Sequence, residues 1–144
     1  MKKLFLGLAL MFSLTSCFED PEIWDSSVVE LAGDWNVRTY DSATGDLVAD
    51  YGQLLTYNTA ANNGDMWLDF VTVLKIGGKS KVSTNGLTFN GDDAVSVTGG
   101  QVFKNEGRSK TGIETDSIYM EVVKGADTFI VSGHKRTGFQ EDEY

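Results

Sequence analysis

From Gly33 onward, apolar and polar residues alternate with a period of two, in short runs set apart by glycine and asparagine. Such alternation puts successive side chains on opposite faces of a strand. Trp35, Val37 and Thr39 share one face of the first run; Asn36, Arg38 and Tyr40 share the other. Residues 41–45 carry a turn signal, and residues 46–51 and 53–58 read as two short strands around Gly52. Residues 59–65 form a loop containing Asn63-Gly64, a strong turn dipeptide. Residues 66–76 make the longest apolar strand, with Met66, Leu68, Phe70, Thr72, Leu74 and Ile76 on one face, before Gly77-Gly78 ends it.

Short strands follow at 79–84, 87–89, 94–98 and 101–104, with turns at Asn85-Gly86, 90–93 and Gly99-Gly100 and a charged loop over 105–112. Residues 117–124 and 128–133 make a last hairpin, and 136–144 is a polar tail with Phe139 its one large apolar residue. No stretch of 11 residues sustains a helical apolar period, and the chain has 16 glycines and one proline. Eight to ten strands without crossover helices must pair antiparallel. The fold class expected is all-β: a single antiparallel barrel over residues 31–144.

The N-terminus follows other rules. Lys2 and Lys3, an apolar run over 4–14 and small residues before Cys17 make a secretory signal, too short for a spanning helix of ~20 residues. Leu14-Thr15-Ser16-Cys17 resembles the lipobox of bacterial lipoproteins. That resemblance implies removal of residues 1–16 and a diacylglyceryl group on Cys17, a stable membrane anchor. Cys17 is the chain's one cysteine, so the mature protein has no internal disulfide. Residues 17–30 read as a tether, with Trp24 tucked against the barrel and residues 27–31 forming a helical turn that closes one end. The acidic Glu19, Asp20 and Glu22 resemble the export signal of Bacteroidetes surface lipoproteins, which implies the outer membrane and surface display, with its periplasmic face the alternative.

Charge narrows the partners. The chain carries a net −9; without Lys2 and Lys3, ten basic residues face 21 acidic ones, about −11. Such a surface repels nucleic acid. The partners expected are a lipid or other hydrophobic small molecule, the membrane through the anchor, and an outer-membrane protein.

Three features resemble the lipocalin pattern: Gly33-Asp34-Trp35 opening the first strand, Thr115-Asp116-Ser117 before the penultimate one, and Arg136 after the last. Ser117 departs from the tyrosine of that pattern. The resemblance implies that Trp35 plugs one barrel end with Arg136 stacked on its ring, a cation–π seal. More specifically, Gly33-Asp34-Trp35-Asn36-Val37, Tyr57-Asn58-Thr59-Ala60, Met66-Trp67 and the run from Phe129 to Phe139 resemble Bacteroidetes lipoproteins described as "lipid-binding putative hydrolases". That label transfers fold better than activity.

Chemistry is sparse. Gly107-Arg108-Ser109-Lys110-Thr111 lacks the final glycine and the strand-to-helix elbow of a nucleophile motif. His134, the one histidine, has Ser132 two residues away, and Asp127 or Asp116 could orient it, yet a barrel-end or surface histidine is the simpler reading. One histidine argues against zinc, and Asn90-Gly91-Asp92-Asp93 does not match an EF-hand loop. No catalytic residue, metal or cofactor is therefore assigned. Asp69 and Glu121 lie mid-strand and read as solvent-facing, a lumenal placement being the alternative. Tyr40, Tyr57, Trp67, Phe89, Phe103 and Tyr119 lie in strands; they line an open cavity or pack a narrow barrel solid. The ligand contacts expected are Tyr40, Trp67 and Tyr119, for a hydrophobic or amphipathic ligand and no chemistry. An accessory subunit with a filled barrel is one rival; a Ser/His hydrolase is the other.

Overall fold

The structure, a computed structural model, describes residues 25–144. The signal sequence, Cys17, the acidic Glu19–Glu22 stretch and Trp24 lie outside the described residues. Eight strands run in chain order around a closed antiparallel barrel. They are β1 (Gly33–Asp41), β2 (Leu47–Asn58), β3 (Asp65–Phe70), β4 (Gly78–Asn85), β5 (Thr88–Asp92), β6 (Ser96–Arg108), β7 (Glu114–Lys124) and β8 (Asp127–Lys135). β8 pairs with β1 from Trp35↔Lys135 to Asp41↔Phe129 and closes the ring, so no strand edge is left unpaired. A short 3₁₀ turn, Gln140–Asp142, ends the chain's regular structure.

Alternation decides what lies inside. Trp35, Val37, Leu54, Met66, Leu68, Phe70, Val82, Phe89, Val97, Val102, Ile118, Met120, Val122 and Val131 are buried and form one core that fills the barrel. The turn before β1 closes one end, as the sequence suggests. Leu31 N–H and Ala32 N–H donate to Val28 O, and Val28 and Leu31 are buried in the same core.

Several strand boundaries differ from the pattern. The two strands expected over 46–58 are one, Leu47–Asn58, with the register slipping between Val37↔Gly52 and Thr39↔Ala49. Gly52 marks a bend, not a break. Likewise the strands expected at 94–98 and 101–104 are one, β6, which starts at Ser96 and continues into the expected charged loop as far as Arg108, with irregularities at Gly99 and Asn105, both of positive φ. Bulges absorb the extra residues without ending the ladder. The expected turn at 90–93 is strand through Asp92. The largest correction is at residues 66–76: β3 stops at Phe70, and residues 71–77 leave the sheet.

Candidate functional site

The barrel has two differently built ends. At the end where β1 begins, Trp35 is fully buried and its indole Nε1 donates to Thr56 Oγ1 at 2.9 Å. Thr56 Oγ1 in turn donates to Leu31 O at 2.6 Å, tying the plug to the closing turn. Trp35 thus plugs this end. Arg136 does not stack on it. Lys135 pairs directly with Trp35 in the β1–β8 register, and its Nζ lies 5.6 Å from the Trp35 ring centroid. Arg136 falls one residue further on and reaches sideways: its N–H donates to Asp34 O, its Nη1 to Asp34 Oδ2 at 2.8 Å, and its Nη2 to Glu143 Oε2.

At the opposite end, residues 71–77 cross the mouth. Val73 and Ile76, three residues apart, are 3% and 2% exposed and belong to the barrel core; Val71 and Leu74 are 48% and 67% exposed. This segment is a cover, apolar on both faces. Its backbone turns through positive φ at Lys75, Gly77 and Gly78. On one side Gln53 N–H donates to Thr72 Oγ1 at 2.7 Å and Thr72 N–H to Gln53 O at 3.3 Å. On the far side Lys124 Nζ, at the end of β7, donates to Ile76 O. The close approach needs a glycine on β2: a Cβ on Gly52 would lie 2.5 Å from Thr72 O.

Inside the barrel beneath the cover, polar groups are few. Thr39, Thr56 and Ser80 are the buried hydroxyls on inward strand positions. Thr56 serves Trp35 and Leu31, and Ser80 Oγ bonds the Val95 backbone. Thr39, 1% exposed and paired with Ala49 and Val131, has a buried Oγ1 with no hydrogen-bond partner.

The ligand contacts expected from sequence lie elsewhere. The alternation that turns Trp35, Val37 and Thr39 inward turns Tyr40 outward; Trp67 and Tyr119 are outward by the same rule, between buried Met66 and Leu68 and between buried Ile118 and Met120. Of the six strand aromatics only Phe89 is in the core. Asp69 and Glu121 also face out, Asp69 accepting from Tyr57 Oη at 3.3 Å and sitting 3.6 Å from Lys79 Nζ. Tyr40, Phe103, Tyr119, Ser132 and His134 instead line an open depression of about 350 Å³ on the outer wall.

Residues 136–144 strap the outer wall beside this depression. Asp142 is buried, accepting from Thr137 Oγ1 at 2.6 Å and from Thr111 N–H at 2.8 Å. These bonds, the Thr137 hydroxyl foremost, hold its carboxyl down at about 2. His134 lies edge-on to Tyr51, with centroids 5.6 Å apart, and Tyr144 stacks on Tyr51 at 3.8 Å. His134 Nε2 is buried and unpartnered, and burial pushes its imidazole below the usual histidine range. Among the described residues no hydrogen bond joins His134 to Ser132 or to a carboxylate. Asp116 is held by Lys104 Nζ and Asn105 N–H, and Asp127 starts β8 at its far end. Ser109 caps a turn, its Oγ accepting from Ile113 N–H at 3.0 Å. The trial triad is not assembled. Among the described residues no three His, Cys, Asp or Glu side chains converge as metal ligands, and Asp93 of the 90–93 stretch accepts from Lys81 N–H.

A family model described as "Lipid-binding putative hydrolase" matches residues 20–140, nearly the whole barrel and strap. The chain belongs to this family. No curated protein matches the chain. Membership and the closed β-barrel together fit a lipid-binding protein.

Sequence reasoning missed the cover, its Lys124 clasp and the Thr39 hydroxyl. One signal was there: Val73 and Ile76 sit three apart before a glycine doublet, a spacing that a strand cannot bury on one face.

Proposed function

We propose that the protein is a lipid-anchored lipoprotein of the outer membrane that binds a hydrophobic or amphipathic ligand in its barrel, admitted at the covered end. The observation that carries this reading is the cover: Val73 and Ile76 occupy the mouth while Val71 and Leu74 face water. The segment thus offers apolar side chains both to the lumen and to whatever approaches the mouth from outside. On this reading the cover swings away and an acyl chain takes the place of Val73 and Ile76. The lipobox at Cys17 and the acidic residues after it support the anchor and the location.

The test is native mass spectrometry of residues 17–144 bearing Cys17→Ser, challenged with a mixture of single-chain and two-chain lipids. A lipid-sized adduct is expected, and an Ile76→Ala variant should take it up more tightly because less of the mouth is prefilled. No adduct on either protein would overturn the reading. A second reading, an accessory subunit of an outer-membrane complex, is favoured by the filled core and by the outer-wall depression with Tyr40, Phe103 and Tyr119. Substituting Tyr119→Ala should then release a protein partner while leaving lipid uptake alone.

A further inference from the structure

One hairpin, β3 and β4 with residues 71–77 between them, carries an outer surface unlike the rest of the barrel. Its charged residues are Lys75, Lys79 and Lys81 against Asp65 and Asp69, a positive excess in a chain of net −9. The described residues hold ten Lys and Arg side chains, and eight of them pair with a carboxylate or donate to a backbone carbonyl. Among the described residues Lys75 and Lys81 do neither, and both are exposed. Asp69 is taken up by Tyr57 and Lys79, Asp65 accepts from Ser83 Oγ at 2.9 Å, and Asp93, just past β5, accepts from Lys81 N–H. Aromatic and aliphatic groups lie between the lysines. Trp67 stands outward, paired with Tyr57 on β2 and with Lys81 on β4. Val71 continues the outward series of Trp67 and Asp69, and Val71 and Leu74 are exposed.

We propose that this hairpin is a membrane-docking face, on which the barrel lies side-on against a phospholipid surface. Val71 and Leu74 enter the boundary of the acyl chains, Trp67 and Tyr57 sit at headgroup level, and Lys75, Lys79 and Lys81 meet lipid phosphates. Rings with an apolar body and a polar tip suit that boundary, and a lysine stem spans it to reach phosphate. Acids on the other walls are screened over about 8 Å in physiological salt, so the net charge of the chain does not forbid the contact. The start of the described chain favours a membrane over any other occupant. Ser27 N–H donates to Asn62 Oδ1 at 2.8 Å, and Gly64 N–H donates to Ser27 Oγ at 3.1 Å. The chain toward Cys17 therefore leaves beside the loop that opens β3, at one end of this hairpin. Residues 17–24 span at most about 29 Å, so an anchor at Cys17 keeps this wall within reach of the membrane. The proposal rests on the anchor of the reading above, not on a lumenal ligand, and it turns the cover toward the lipid.

The experiment joins the thiol of Cys17, the chain's one cysteine, to a maleimide lipid in vesicles of phosphatidylcholine and phosphatidylglycerol, using residues 17–144 with Trp24→Phe. This supplies the anchor chemically; acylation in the cell is read separately, from the mass of the membrane-extracted protein. Lipids brominated near the head end of the acyl chain quench a tryptophan that reaches them. Trp67 should be quenched and the fully buried Trp35 should not, so Trp67→Phe should abolish the effect. Lys75→Glu with Lys81→Glu, both at exposed positions, should shift the docked-to-undocked ratio at least about 30-fold toward undocked. Unquenched Trp67 in the joined parent, or equal quenching in the parent and the charge-reversed chain, would overturn the docking face while leaving the anchor standing. An unmodified Cys17 in the membrane-extracted protein would overturn the anchor instead.

Discussion

The two ends of the barrel are closed by the same means, apolar side chains folded inward, but they differ in what happens to the polar groups around them. At the Trp35 end the plug itself is tied in, the indole by Thr56 and Thr56 by Leu31, while at its rim Arg136 bonds Asp34 and Glu143 with Asp34 Oδ1 and Arg136 Nε left buried and unpartnered. At the cover end one lysine, one hydroxyl and a backbone amide hold seven residues across the mouth, above a hydroxyl with no partner. A plug whose own indole and hydroxyl are both paired is a structural closure. A sparsely held one with an unspent hydroxyl beneath it suits a closure that opens. Local stability follows the same logic, because segments with few buried contacts and few hydrogen bonds open below the global unfolding free energy.

The largest effect should come from the structural end. Trp35→Ala leaves a cavity in the plug and removes the N–H that Thr56 Oγ1 accepts, and should cost about 3–5 kcal/mol in urea unfolding. A variant that melts like the parent would show that the plug is not structural and would erase the contrast between the ends.

The cover end should respond differently to a change of its clasp. Lys124→Met keeps a long apolar stem but removes the donor to Ile76 O, and should cost only about 0.5–1.5 kcal/mol of global stability. Its main effect should be local: faster hydrogen exchange at Gly77 N–H, which now bonds Val73 O, and faster ligand uptake. Equal protection of Gly77 in parent and variant would mean that Lys124 does not hold the cover.

The difference between the ends also explains what was legible in the sequence. Trp35 could be placed because a plug is local: Gly33-Asp34-Trp35 precedes a strand whose alternation fixes its inward face. The same alternation carried the barrel, since β3, β7 and β8 each show alternate residues buried along much of their length. It failed where hydrophobicity ran on after the strand had ended. Residues 71–76 are as apolar as β3, and composition alone does not distinguish a strand that continues from a segment that turns over the mouth. The decision lay in positive φ at Lys75 and in the contact between Gly52 and Thr72, which joins positions 20 apart. Arg136 was misplaced for a related reason: which basic residue meets Trp35 depends on register, and the register gives Lys135. Tyr40, Trp67 and Tyr119 were drawn inward by their aromaticity, against their own period. Phe103 and Tyr119 show that a barrel this narrow turns large rings outward once Trp35, Phe70 and Phe89 have filled it.

Acid should separate the two regions by the smallest but cleanest effect. The strap over the outer wall is held by Asp142, whose carboxyl lies at about 2 because Thr137 and Thr111 donate to it. A depressed folded value contributes stability above the ordinary carboxylate range, near 4, and loses it as pH falls toward 2. His134 beneath the strap adds an earlier step. Its burial favours the neutral imidazole, with Arg38 acting in the same direction and Asp142 opposing, so the strapped state loses stability as pH falls below about 6.5. The Thr111 amide, followed by NMR, should therefore lose protection in two stages, one starting below about 6.5 and one between about 4 and 2. His134→Gln should abolish the first stage and Asp142→Asn the second. The cover has neither a carboxylate nor an imidazole in its hydrogen bonds, so Gly77 should keep its protection through the first stage. If Gly77 and Thr111 open together at pH 5–6, the strap and the cover are one cooperative unit, and the mouth of the barrel is gated from its outer wall.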